Sequence, residues 1–211
     1  MKINLALQLS AVLVSASAFS ADMVITGVVD GSLSGGIPKA VELYVVNDIS
    51  DLSRCGIDVA SNGATTAGNH STFSGSATAG SFLYAATETP GFTAFFGFEP
   101  TLRTPSFNGN DVVLLQCDGV VIDSFGELGV DGLGTPWEYT DSWAHRNSGT
   151  TADGNSFNLT NWSFSGPNTL DNQTSNATAT IPYPLASFVY GTDDGSTGGD
   201  TGTGGDTGTG G

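Results

Sequence analysis

The stretch DVVLLQCDGVVIDSF, residues 111–125, decides the fold class of this 211-residue chain. Two apolar runs flank a central Asp-Gly dipeptide, which suits a two-residue hairpin turn because both positions accept a positive φ. Pairing across that turn places Cys117 opposite Val120 and Leu115 opposite Ile122. Side chains alternate between the two faces of a strand, so one face of the predicted hairpin is apolar throughout.

The rest of the chain shows the same β pattern. Short apolar runs are separated by Ser, Thr, Asn and many of the 30 glycines, and helical periodicity is almost absent. Predicted strands cover residues 23–29, 40–46, 55–59 and 81–86, with a last strand over Phe157, Leu159, Trp162 and Phe164. Short strands and an antiparallel hairpin favour an all-β, immunoglobulin-like β-sandwich over a closed barrel.

One short helix is expected within the stretch TPGFTAFFGFEP. Thr89 is the expected cap, Pro90 suits the first turn, and Gly97 ends the helix. Its phenylalanines recur at helical spacing, at Phe92, Phe95 and Phe96. We expect this apolar face to plug one end of the sandwich, and the alternative is an exposed docking ridge.

The chain begins with the features of a secretory signal peptide. Lys2 supplies the positive start, residues 5–14 the apolar stretch, and Ala16-Ser17-Ala18 a small-residue cleavage site. Residues 1–18 are therefore predicted to be removed, with an alternative cut as late as residue 21. The apolar run is shorter than the roughly 20 residues that span a bilayer, so we expect a secreted product that does not bind membranes.

The mature chain is predicted to hold one domain, residues 22–189, which is long enough to bury a core. Its last part, residues 178–190, is interrupted by proline and is expected to lead out of the fold. Residues 190–211 contain repeated Gly/Thr/Asp units, a composition typical of a flexible linker. Such a linker indicates a tether to a downstream domain.

Acidic residues dominate the charge of this chain. It has five Lys and Arg against 21 Asp and Glu, a formal net charge of -16. This surface repels phosphate backbones, so we expect no direct binding of nucleic acid. No stretch has the ligand spacing of a calcium loop, and we predict neither a metal nor a cofactor.

The two cysteines are expected to form a disulfide. Cys55 alternates with Ile57 and Val59, and Cys117 alternates with Val113 and Leu115, so both sulfurs lie on apolar faces. An exported chain matures in an oxidising compartment, where such a pair is oxidised. The alternative is two unpaired, buried thiols.

Six motifs resemble the lamin tail domain, and they follow one another in that family's order. They are VIT (24–26), AVELYVVN (40–47), ISDLSRCGI (49–57), NGNDVVLL (108–115), CDGVVIDSFG (117–126) and NWSFSGPNTLDN (161–172). The chain departs from the family pattern at Gly27, where glutamate is usual, at Ala40, where tryptophan is usual, and at Arg54-Cys55, where glycine and an aromatic are usual.

The resemblance implies an immunoglobulin-like sandwich without known catalytic residues. In exported bacterial proteins such a domain often accompanies an extracellular nuclease or a phosphatase-like hydrolase and is taken to be a binding or targeting module. We therefore expect a non-catalytic module, tethered to a secreted hydrolase, that binds an unknown protein or glycan. The alternatives are a free-standing surface or matrix protein that binds glycans or cells, and an unrecognised hydrolase.

The best candidate ligand site is the stretch PWEYTDSWAHR. Trp137, Tyr139 and Trp143 offer flat apolar faces beside Arg146, a mixture suited to stacking on sugar rings or on a partner's side chain. The alternative is that these aromatic side chains fill an edge of the sandwich beneath long loops.

Catalytic candidates are few. The chain has only two histidines, His70 and His145, and no nucleophile or metal motif. A serine, His145 and Asp141 remain an alternative triad, because triads assemble from distant positions. Glu42, alone within a predicted strand, is expected to be a structural hydrogen-bond acceptor and not a general acid.

Overall fold

The computed structural model describes residues 21–191. The predicted signal peptide and all but two residues of the predicted linker lie outside the described residues. The elements are β1 Met23–Leu33, β2 Ile37–Val45, β3 Cys55–Ala60, β4 Asn69–Thr72, β5 Phe82–Ala86, α1 Thr89–Phe96, β6 Leu102–Arg103, β7 Val112–Cys117, β8 Val120–Phe125, β9 Ser142–Arg146 and β10 Trp162–Phe164. Within this part of the chain, no helix has the length and apolar character needed to cross a membrane.

The strands form two sheets. The six-stranded sheet has the order β10-β9-β1-β2-β5-β6, and the four-stranded sheet has the order β4-β3-β7-β8. Neighbouring strands are antiparallel, except that β6 runs parallel to β5. The predicted all-β sandwich with one short helix is confirmed.

The main core lies between the two sheets. Leu43 and Val45 of β2 face Ile57 and Leu115 of the four-stranded sheet, and all four side chains are buried. Each such side chain stabilises the fold by about 1.5–3 kcal/mol relative to an exposed one. The alternation that predicted the strands therefore also identifies this layer.

The β7–β8 hairpin turns as predicted, with φ of 53° at Asp118 and 75° at Gly119. Cys117 pairs with Val120, but Leu115 pairs with Asp123 and not with Ile122 as predicted. A β-bulge between Leu115 and Gln116 adds one residue to β8 and shifts the register. The shift places Asp123 on the inner face, between the two sheets.

Cys55 and Cys117 form the predicted disulfide. They are directly paired residues on β3 and β7, with their Cα atoms 4.0 Å apart. The bond therefore links the two central strands of the four-stranded sheet.

Helix α1 covers the outer face of the six-stranded sheet and does not plug an end of the sandwich. Phe92 and Phe95 pack on small outward-facing side chains of the sheet, among them Ala40 and Ala86. Small residues there leave room for a helix to approach the backbone. The cap is Glu88 and not Thr89, since the Glu88 carboxylate accepts a hydrogen bond of 2.7 Å from the Gly91 N–H.

The segment after β10 does not lead out of the fold as predicted. Leu170, Tyr183 and Phe188 are buried, and the indole N–H of Trp143 donates to the Ile181 carbonyl at 3.0 Å. Buried apolar side chains, among them Leu170 and Tyr183, return this segment to the outer face of the six-stranded sheet. Together with α1, it covers that face.

Candidate functional site

The four residues of the predicted stacking site are buried. Trp137 is 4% exposed, Tyr139 0%, Trp143 8% and Arg146 0%. Trp143 and Arg146 belong to β9, an internal strand that is absent from the strands predicted from the sequence. Contrary to the prediction, these buried side chains offer no surface to a ligand. Trp137 and Tyr139 pack in the main core, and Trp143 packs against Tyr183 on the outer face of the six-stranded sheet.

Arg146 connects the two sheets. Its Nη2 donates to both carboxylate oxygens of Asp123 at 2.8 Å, and its Nε donates to the Ile25 carbonyl at 2.6 Å. Its Nη1 donates to Asp153 at 3.1 Å and to the Thr151 carbonyl at 2.9 Å. Burial raises the pKa of Asp123 to about 6, although Arg146 and two backbone N–H groups lower it in part. Since every guanidinium nitrogen donates within the protein, Arg146 has a structural role.

Glu42 is also held by internal contacts. Its carboxylate accepts from the Thr26 hydroxyl at 2.7 Å and from the Ala186 N–H at 2.8 Å. Burial raises the pKa of Glu42 above its usual range. The contact with Ala186 fastens the C-terminal segment to β2, so Glu42 acts as the structural acceptor that the sequence analysis expected.

His145 lies near a hydroxyl and a carboxylate without forming a triad. Ser187 Oγ is 3.4 Å and Glu42 Oε1 is 4.0 Å from the same ring nitrogen, Nε2. A triad needs the hydroxyl on one nitrogen and the carboxylate on the other. Asp141, the acid of the sequence-based alternative, is four residues away along an extended chain, a Cα separation of about 13 Å. Burial lowers the pKa of His145 to about 4, so the ring is neutral at pH 7.

A groove of about 440 Å³ lies on the outer face of the four-stranded sheet. Leu114 of β7 and Ser124 of β8 are paired neighbours that form its floor, together with Val121. Residues 126–128 and 155–157 form the walls. Two segments that are distant in sequence build this groove, so no local motif predicts it.

Ser124, in the groove floor, has a buried hydroxyl group without a hydrogen-bond partner among the described residues. The residue is 1% exposed. A buried hydroxyl without a partner costs about 1–3 kcal/mol, so most such groups in proteins are paired. The groove therefore contains an unused donor and acceptor.

No basic residue lines the groove within the described part of the chain. The basic residues of the described chain have partners elsewhere in the fold. Lys39 is paired with Asp30, and Arg146 is buried between acidic residues. Arg54 lies between two carboxylates, and Arg103 donates to the Thr87 carbonyl at 3.2 Å. The charged residue in the lining is Glu127, so the groove disfavours anionic ligands.

A second polar cluster lies beside the groove on the same face. His70 Nδ1 is 2.6 Å from Asp58 Oδ1, and His70 Nε2 is 2.9 Å from Thr72 Oγ1. Gly56 lies beneath the ring, where a Cβ would stand 2.7 Å from His70 Cε1. The Gln116 side chain approaches Nδ1 as well, at 2.9 Å.

This cluster has a carboxylate and a hydroxyl on opposite nitrogens of one imidazole, which is the order of a catalytic triad. His70 and Thr72 are exposed on the edge strand β4, and neither belongs to the lining of the groove. The sequence did not indicate this cluster, because the residues of β4 have the composition of a polar loop. The i, i+2 spacing of His70 and Thr72, which puts both on one face of a strand, was the available signal.

Across residues 21–191, no group of three or more His, Cys, Asp and Glu side chains is placed to hold a metal ion. Comparison of the chain with known protein families, with curated proteins and with solved structures finds no match. The lamin-tail resemblance therefore rests on its sequence motifs.

Proposed function

We propose that this chain is a non-catalytic, exported binding or targeting module of lamin-tail type. Its ligand surface is the groove on the four-stranded sheet, and a Gly/Thr/Asp linker tethers it to a secreted hydrolase such as a nuclease or a phosphatase-like enzyme. The observation that carries the proposal is the groove, with the partnerless hydroxyl of Ser124 in its floor.

The two outer faces of the sandwich differ in a way that favours this groove. Helix α1 and the C-terminal segment cover the six-stranded sheet, where Phe92 and Tyr183 are buried. The four-stranded sheet instead carries the open groove. A concave site of this volume is within the range of about 300–1,000 Å³ typical of small-molecule ligands.

The disulfide supports export. Such bonds form and persist in oxidising compartments, and the bond between Cys55 and Cys117 lies within the folded core. The predicted signal peptide points to the same compartment.

The free-standing surface protein remains the second candidate. It would use the same groove, because the aromatic side chains first assigned to glycan stacking are buried. The coding sequence beyond Gly211 separates the two candidates: a downstream hydrolase domain supports the tether, and a stop codon favours the free-standing protein.

The cluster of Asp58, His70 and Thr72 is the feature that favours a hydrolase instead. An activated Thr72 hydroxyl would attack a fluorophosphonate probe, forming an O–P bond and releasing fluoride while His70 accepts the proton. Intact-mass measurement of the full secreted chain after incubation with this probe tests the point. We expect no adduct; a single adduct that disappears in the His70→Gln variant would contradict the proposed function.

A further inference from the structure

Resting on the proposed function, we infer that the groove on the four-stranded sheet binds a neutral carbohydrate. A sugar ring has apolar C–H faces and a rim of hydroxyl groups that both donate and accept hydrogen bonds. The groove has the same two properties: Leu114, Val121 and Phe157 are apolar, and Ser124, Asn155 and Ser156 are polar without charge.

Phe157 gives the groove a rigid apolar wall. Its ring centroid is 5.3 Å from that of Phe125 and 6.2 Å from that of Trp137, both in edge-to-face geometry. These contacts hold one side of the ring against the core, while the residue remains half-buried beside the groove. An aromatic ring fixed in this way is pre-organised to pack on the C–H face of a sugar.

Charge excludes the other small polar ligands. With Glu127 in the lining and a net charge of -16, phosphorylated, sulfated and other acidic ligands are repelled. A cation that enters the groove loses part of its hydration shell and then needs a buried anionic partner. The groove floor is formed by Ser124, Leu114 and Val121, which carry no charge. A neutral ligand rich in hydroxyl groups meets neither penalty.

Ser124 supplies the polar contact in the floor. Its hydroxyl has no partner among the described residues, and the residue belongs to the lining of the groove. A sugar hydroxyl at this position satisfies both groups.

The test is a titration of the ¹⁵N-labelled full secreted chain with neutral disaccharides built from glucose, galactose, mannose and N-acetylglucosamine. Chemical shifts of the backbone amides report where each sugar binds. We expect saturable shifts at Leu114, Val121, Ser124 and residues 155–157 with at least one sugar. Spermidine and a sulfated disaccharide serve as the cationic and anionic comparisons, and we expect neither to saturate these shifts.

Two serine variants separate a ligand contact from a structural effect. Ser124→Ala removes the groove hydroxyl and is expected to weaken sugar binding by about five- to tenfold, the usual effect of one hydrogen bond. Ser142→Ala is the matched control, because Ser142 on β9 is also buried with a partnerless hydroxyl but does not line the groove. We expect unchanged binding in that control and an unchanged fold in both variants.

The sugar assignment is overturned if no neutral disaccharide gives saturable shifts, if the shifts map outside the groove, or if Ser124→Ala binds as tightly as Ser142→Ala. Saturation by spermidine alone would assign the groove to a cationic ligand instead. None of these results bears on the absence of catalysis, which the fluorophosphonate experiment tests separately.

Discussion

Asp123 of β8 and Arg146 of β9 join the two sheets through a buried ion pair in which neither side chain is exposed to solvent. The bulge in β8 turns Asp123 inward, and Arg146 reaches it from β9, an internal strand between β10 and β1. The pair therefore holds the sandwich together where the register of the hairpin departs from the simple pattern.

Asp123→Asn should destabilise the fold strongly. The substitution leaves the charge of Arg146 buried with one fewer anionic partner, a change that costs about 3–5 kcal/mol. Urea unfolding measures the loss. Asp118→Asn is the matched control, because it makes the same chemical change in an exposed ion pair with Arg54 and Asn accepts the positive φ of the turn. The control should cost less than about 1 kcal/mol, and equal losses in the two variants would contradict the structural role of Asp123.

The disulfide should contribute about 4 kcal/mol to the free energy of unfolding, because it closes a loop with a sequence separation of 62. The double variant Cys55→Ala/Cys117→Ala removes the bond without leaving a free thiol. Its urea midpoint, compared with that of the wild type, measures the contribution. A thiol assay should find no free thiol in the unfolded wild type before reduction; two free thiols there would contradict the bond.

His145 should make stability depend on pH. Its pKa is about 4 in the folded chain and about 6.5 when unfolded, so between these values only the unfolded chain binds the proton. This contribution is fully present above pH 6.5, is lost as the pH falls toward 4, and amounts to about 3 kcal/mol.

The His145→Gln variant isolates that effect from the opposing contribution of Glu42. The difference in unfolding free energy between wild type and variant should shrink as the pH falls from 7 to 4. NMR titration of the His145 ring gives its pKa directly, and a midpoint near 6.5 would contradict the buried, neutral imidazole.

Gly27→Ala should loosen the C-terminal segment. A Cβ at residue 27 would overlap the hydroxyl and ring of Tyr183, so the substitution should cost about 1–3 kcal/mol in overpacking. In the Tyr183→Ala background the overlap disappears, and the same substitution should cost little. Urea unfolding of the four chains measures this coupling, and additive losses would show that Tyr183 does not lie over Gly27.

The local sequence pattern was sufficient to predict the β7–β8 hairpin turn and the disulfide. The Asp-Gly turn and the alternation of Cys55 and Cys117 with apolar residues are properties of neighbouring residues, so the sequence contains them directly. The bulge in β8 was not predictable from the local pattern, because the partner of the inward-facing Asp123 is Arg146, 23 residues further along the chain.

Strand β9 shows why the candidate site was misplaced. SWAHR combines aromatic and charged residues and reads as a surface loop, yet Arg146 is buried by partners that come from three other parts of the chain. Gly27, a departure from the lamin-tail pattern, is likewise explained by a distant residue. The Tyr183 side chain occupies the space that a Cβ at residue 27 would need. Long-range partners of this kind leave no periodic signal.

A chain that binds its ligand without transforming it catalyses no hydrolysis, and this is tested by assaying turnover by the full secreted chain. Phosphodiester, phosphomonoester and carboxyl-ester substrates, with Mg²⁺ and Ca²⁺ present, cover the hydrolase alternatives. We expect hydrolysis no faster than the buffer blank for every substrate. Hydrolysis that is lost in His70→Gln or His145→Gln, with the fold intact, would contradict this expectation.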